Sequence, residues 1–162
     1  MYFGSKEELF LMLLREQLES WYSEVEKKLA ARKSRCSNTQ LARMLAGTLG
    51  GRLELTRLLG LSPGVLEGNM EIVEAYRFHL WHKERMEEVG RELERRARGL
   101  EKGQGLRLLH LLQVWAGALD HLSNPRGGLA VNLLDPDFED LKVDMVEELK
   151  VFVTRFLSGS DS

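Results

Sequence analysis

The sequence predicts an all-α domain of about five to six helices. Leu, Glu and Arg dominate, β-branched residues are few and there are only three prolines, a balance that favours helix over strand. Apolar residues recur at spacings of three and four through most of the chain, the period of a helix with one buried face. The gaps between these runs carry Gly, Ser, Asn and Pro, the residues of turns and caps. With 162 residues, 43% hydrophobic and 30% charged, the chain suits one globular domain with its own core. A net charge of −2 provides no overall positive field for nucleic acid or anionic membrane. The single cysteine, Cys36, rules out an internal disulfide and points to a reducing compartment. No apolar run approaches the roughly 18 residues of a membrane span, and no secretory signal opens the chain. A cytoplasmic protein with no membrane partner is expected.

The first helix is expected from about Lys6 to Ala31. Ser5 and Glu8 have the spacing of a capping box, and Phe3 that of a hydrophobic staple,. Leu14, Leu18, Trp21, Val25 and Leu29 form its main stripe, while Leu9, Phe10 and Leu13 form a second apolar set at its near end,. "RKSRCSNTQ" reads as a basic linker whose Ser37 and Gln40, or Asn38 alone, cap the next helix,. Cys36, among Arg32, Lys33 and Arg35, could have a lowered pKa and serve as a redox sensor. Two short helices should come after this linker, broken at Gly50 and Gly51, with "SPG" at Ser62–Gly64 as a turn,.

A long helix is expected from about Asn69 to Arg98, with Ile72, Val73, Tyr76, His79, Leu80, Met86, Val89 and Leu93 facing inward and Trp81 on a charged outer side with Arg77, Glu84, Arg85 and Glu88,. The next helix, about Leu106 to Leu122, is apolar over well more than half its circumference, as befits a helix buried on more than one side. Gly117 and neighbouring alanines would allow close helix approach. His110, Gln113, Gly117, Asp120 and His121 share its narrow polar stripe, which could line a cavity, a dimer seam or solvent. "RGG" reads as a loop. Asp135 and Pro136 read as cap and first position of the last helix, which ends near Leu157, with Phe138, Leu141, Met145, Leu149, Phe152 and Phe156 on one stripe and Val146, Val153 and Leu157 on another,.

The surplus apolar surface on these last two long helices predicts a homodimer built as a four-helix bundle. Its candidate residues are Leu112, Trp115, Ala116, Leu119, Met145, Leu149, Phe152, Val153 and Phe156. A polar imidazole on an apolar face needs a partner, a water or a ligand. His79 and His82, with Tyr76, Met86, Met44, Leu45 and Trp115, are therefore the candidate walls of a pocket for a small, largely hydrophobic molecule,. No zinc-protease pattern, cysteine pair, P-loop or nucleophile elbow is present,. No catalytic residue, metal or cofactor is expected.

One segment carries more than helix periodicity. "YFGSKEELFLMLL", from Tyr2 to Leu14, resembles the junction at which the helix-turn-helix head of TetR-family bacterial transcription regulators meets the helical body. The resemblance implies a ligand-responsive regulator, most simply a repressor and not an enzyme. Its effector would occupy the helical body, shift the long first helix like a lever and release operator DNA. It also implies that Tyr2 and Lys6 contact DNA phosphates, that the middle helix lines the effector cavity, and that the last two long helices dimerise. On this comparison residues 1–4 are the remnant of the DNA-binding head, 5–158 the effector-binding and dimerisation body, and 159–162 a disordered tail. Most of the head is missing from the chain, so operator contact would come only through that head. The alternative is a head-less helical dimer that binds proteins through Phe3, Leu9, Phe10 and Leu13. A small enzyme using His79 and His82 is a third reading.

Overall fold

A computed structural model describes residues 5–66, 68 and 70–159, and among them there are only helices and connecting turns. Helix α1, Lys6–Ala30, begins where expected: the Ser5 hydroxyl accepts the Glu8 N–H at 3.1 Å. Glu7 and Glu8 in its first turn and Lys27 and Lys28 in its last complement the helix dipole,. Its buried stripe runs Leu11, Leu14, Leu18, Trp21, Tyr22, Val25 and Leu29. α2, Asn38–Gly50, opens with the full Ser37–Gln40 capping box. The chain then turns at Gly51 and Arg52 into α3, Leu53–Leu66.

Ser62–Gly64 is not a turn but lies inside α3. Proline has no N–H to give the carbonyl four residues back, so Pro63 leaves Leu59 without its helical donor. The Ser62 hydroxyl supplies one, at 2.9 Å from the Leu59 oxygen. The helix therefore passes through the proline.

α4 spans Ile72–Arg96 and α5 spans Gln104–Ser123. A short α6, Gly127–Asn132, occupies what the sequence suggested was only loop. The last helix also differs from expectation. Asp135 caps a 3-10 segment, Pro136–Leu141, whose exit at Lys142 is extended. A second cap, Asp144, accepts the Glu147 N–H at 2.9 Å and starts α7, Met145–Ser158. Phe138 and Leu141 thus leave the final helical stripe and lie exposed.

α1 runs through the middle, touching α2, α3 and α4; α5 packs on α3, α4 and α7, and α2 lies along α7. Trp21 and Tyr22 are fully buried, and the Trp21 indole N–H donates to the Thr48 hydroxyl of α2 at 3.1 Å. Cys36 is also fully buried. Its backbone forms an isolated parallel bridge with Ala97, its N–H reaching the Arg96 carbonyl at 2.6 Å. A thiol closed off from solvent is not placed to sense oxidants, which corrects the redox-sensor expectation. No helix among the described residues is long and apolar enough to cross a membrane.

The inward face of α4 differs from the expected one in its first half. Ile72 is 87% and Tyr76 66% exposed, and Val73 and Leu80 also face out. The buried line is instead Phe78, Met86, Val89, Gly90 and Leu93, with Trp81 and His82 half-buried beside it. Arg85 misleads the eye, because a charge at that position reads as an outer face. Here it lies in the α1–α4 seam, held by Glu19, Glu26 and Glu88 at 2.7–3.4 Å and stacked 5.6 Å from the Tyr22 ring centre. Arg15 of α1 likewise sits 4.7 Å from the Trp81 ring centre.

α4 and α5 touch backbone to backbone. A Cβ on Gly105 would lie 2.2 Å from the Gly90 oxygen, and one on Gly90 would lie 2.6 Å from the Leu106 nitrogen. Gly105→Ala should therefore lower the free energy of unfolding in urea by about 3 kcal/mol, the upper range for overpacking. Gly47→Ala, on α2 with no atom within 4 Å of the new Cβ, should instead leave stability unchanged or raise it by up to about 1 kcal/mol. Equal effects of the two changes would mean that the α4–α5 crossing is not tight.

Candidate functional site

A cavity of about 430 Å³ lies between α3, α4 and α5, with Leu14 of α1 in its wall. α3 contributes Leu59, Gly60, Ser62, Pro63 and Leu66; α4 contributes Phe78, His79 and His82; α5 contributes His110, Gln113, Val114, Gly117, Ala118 and His121. Two larger depressions, of about 590 and 580 Å³, are lined largely by charged side chains such as Lys28 and Arg43, or Arg15 and Glu74. A mostly apolar wall with a few converging polar groups is the better description of a small-molecule site, and of these three the 430 Å³ cavity meets it best.

Its shape follows from the helices that enclose it. α3 and α5 cross at Gly60 and Gly117, where a Cβ on Gly60 would stand 2.8 Å from the Gly117 oxygen. The close approach offered by Gly117 is thus used inside the chain, on α3. That contact places Leu59, Ser62, Pro63 and Leu66 opposite the polar stripe of α5.

Behind the wall, three helices share one polar cluster. The Gln113 amide donates to the Leu109 carbonyl at 3.0 Å and to the Tyr22 hydroxyl at 2.9 Å. The Leu109 bond fixes which end of the amide is nitrogen. Gln113 Oε1 therefore faces His82 Nε2, 2.8 Å away, and that ring nitrogen must carry the proton. The Tyr22 oxygen lies 3.0 Å from the same nitrogen. Burial pushes the His82 imidazole down to about 4, more than the Gln113 hydrogen bond raises it, and nearby His110 and His79 push it down further. Burial likewise drives the Tyr22 phenol above its usual range. Both groups are neutral near pH 7, which suits a buried cluster with no counter-ion.

Two of the seven expected pocket residues, His79 and His82, line this cavity. Met44 and Leu45 are buried in α2, Met86 is buried deeper along α4, Tyr76 points outward and Trp115 lies on another face of α5. The expected dimer residues also divide. Leu112, Ala116, Leu119, Met145, Leu149 and Val153 are buried in the chain's own core, the last three in the seam where α7 meets α2 and α5, and are not available to a partner. Trp115, 41% exposed, stacks on Phe152 at 6.3 Å between ring centres, and Phe156 lies beyond it at 6.4 Å. With Val151 they form an apolar strip on the outside of α5 and α7. Tyr2 lies outside the described residues; the Lys6 side chain is 90% exposed beside Glu7, at 3.8 Å. Among the described residues no three His, Cys, Asp or Glu side chains are placed to hold a metal ion.

Sequence reasoning missed the roles of Tyr22, Phe78 and the Ser62–Pro63 pair. Tyr22, four residues from Leu18 and three from Val25, lies on the buried stripe of α1 and could have been found by the same spacing that gave Trp21,. Phe78 could have been found by testing a second register of α4, in which Phe78, Met86, Val89 and Leu93 align,.

A family model described as "Tetracyclin repressor-like, C-terminal domain" matches residues 15–162. No curated protein matches the chain.

The depressed His82 value has a definite sign in stability. Its contribution is fully present above the unfolded value of about 6.5 and is lost as pH falls toward about 4,. The loss should amount to about 3 kcal/mol. His82→Gln, which cannot take up a proton, should flatten the pH dependence of unfolding between about pH 6.5 and pH 4. The same slope in both proteins would show that His82 is not the group held neutral.

Proposed function

Because the chain belongs to the TetR family, as a tetracycline-repressor-like C-terminal domain, we propose that it is the effector-sensing and dimerising body of a ligand-responsive transcription regulator, most simply a repressor. The effector is a small, largely hydrophobic molecule held in the 430 Å³ cavity. One observation carries this reading: the cavity wall is joined to α1 both by Leu14, which lines it, and by the Tyr22–His82–Gln113 cluster behind it. A molecule that displaces His82 or Gln113 must break bonds to α1 or carry α1 with it.

In this reading α1 is the lever. Operator DNA is read by a helix-turn-helix head ahead of α1, with Tyr2 and Lys6 on phosphates, and the exposed Leu9, Met12 and Leu13 give that head a surface to rest on. The effector releases DNA only if it binds one position of α1 better than the other; a tenfold preference corresponds to about 1.4 kcal/mol. A second copy of the chain packs against the Trp115–Phe152–Phe156 strip, so that α5 and α7 of two protomers form a four-helix bundle,.

Two measurements bear on this. In sedimentation equilibrium the chain should be a dimer, and the double variant Trp115→Glu, Phe156→Glu should be a folded monomer; a dimer that persists places the interface elsewhere. A thermal-shift screen of apolar small molecules should find compounds that stabilise the protein by about 2.7 kcal/mol at a hundredfold excess over Kd. Ala118→Phe, which fills the cavity from an exposed wall position, should abolish that gain while leaving the fold intact. Stabilisation that survives Ala118→Phe would move the binding site out of this cavity.

A further inference from the structure

All four histidines of the chain line this one cavity: His79 and His82 from α4, His110 and His121 from α5. Among the described residues no Lys, Arg, Asp or Glu lines it, and α3 and α1 add no titratable group to the wall. Tyr22 of α1 is the titratable group behind His82.

The wall therefore holds no fixed charge but can create a positive one. His82 Nε2–H is committed to the Gln113–Tyr22 cluster. His79 donates its Nδ1–H to the Ala75 carbonyl at 2.8 Å, which leaves its Nε2 lone pair as the group able to take a proton. An imidazole ordinarily titrates near about 6.5, within reach of neutral solution. A cation in this cavity would find no carboxylate. An anion would find imidazoles that can each accept a proton and become an imidazolium partner. Without an anion those charges oppose one another, since His110 and His79 act on His82 through space.

We propose that the ligand of this cavity is an apolar monocarboxylic acid, its hydrocarbon body against Leu14, Leu59, Leu66 and Phe78 and its carboxylate held by an imidazolium formed at His79, His110 or His121. This rests on the reading of the cavity as the effector site and names the class of effector. The charge balance is simple: the carboxylate enters as the anion and one imidazole nitrogen takes one proton from solvent. The carboxylate and the imidazolium then cancel in charge. Affinity is highest between the acid's own pKa and that of the imidazole, and above the latter it falls about tenfold per pH unit.

Three probes with one apolar body separate the possibilities: 4-phenylbutyrate, 4-phenylbutan-1-ol and 4-phenylbutylamine, titrated calorimetrically into the whole chain at pH 6 and pH 8 in buffers of different ionisation enthalpy. The acid should bind at least tenfold tighter than the alcohol at pH 6 with little proton uptake, lose most of that advantage at pH 8 while taking up close to one proton there, and the amine should bind weakest. In the triple variant His79→Gln, His110→Gln, His121→Gln the acid should bind no better than the alcohol, with no proton uptake at either pH, while an unchanged circular dichroism spectrum reports an intact fold. If the alcohol matches the acid at both pH values, the cavity stands as a site but the ligand class is overturned. If the acid keeps its preference in the triple variant, the imidazoles are not its partners and the proposal fails. If none of the three binds, and none protects against thermal unfolding, the effector-site reading fails with it.

Discussion

The hydrogen bonds among Tyr22, His82 and Gln113 are the constraint around which the rest is arranged. They tie α1, α4 and α5 at one buried point, and moving any one of the three side chains costs each of the other two a hydrogen bond. A buried donor or acceptor without a partner costs about 1–3 kcal/mol, so the cluster favours one arrangement of the three helices. It is also the back wall of a cavity with a largely apolar lining and converging polar groups. A ligand in that cavity would compete with the same atoms that hold α1 in place.

The packing around this point is uneven. On one side α2 and α7 lie against each other along their lengths, with Leu149, Val153 and Leu157 fully buried. At the α4–α5 crossing, Gly90 and Gly105 leave no room for even a methyl group. On the other side α3 meets α5 at Gly60 and Gly117, carries an internal proline, and faces open space instead of side chains. The seam between α1 and α4 is different again: Arg85 meets three glutamates there, and Arg15 covers Trp81. Polar, partly solvated contacts of this kind can exchange partners at little cost, whereas a packed apolar seam cannot. The molecule thus combines a closely packed base, α2, α5 and α7, with a polar, partly solvated seam between α1 and α4.

Much of this was legible in the sequence. The central stripe of α1, from Leu14 to Leu29, and the caps at Ser5 and Ser37 were readable because short-range rules set them: apolar spacing and a side chain reaching three residues on. The illegible parts share one cause, a tertiary contact that overrides a local signal. Pro63 reads as a break until Ser62 replaces its missing donor. Arg85 reads as solvent until three glutamates gather round it. Asp135 reads as the start of the last helix because nothing nearby shows that Asp144 starts a better one. The cavity was found only in part. His79 and His82 stood out as polar residues in an apolar helix, and His110, Gln113 and His121 as a polar stripe, but which stripes face each other is set by the glycine crossings. The apolar excess of α5 and α7 was similarly real but overestimated, since α2 covers much of the α7 face that seemed to await a partner.

Coupling between the cavity and α1 is the central claim, and it requires that filling the one moves the other. The direct measurement is the distance between spin labels on Lys6→Cys in the two protomers of the proposed dimer, by pulsed electron resonance. The native Cys36 is buried and should not take up label. Saturating the cavity with ligand should shift the distance distribution, and the same ligand should produce no shift in a Tyr22→Phe, Gln113→Leu variant that still binds it. A distribution that is unchanged when the cavity is full would contradict the coupling of this site to α1.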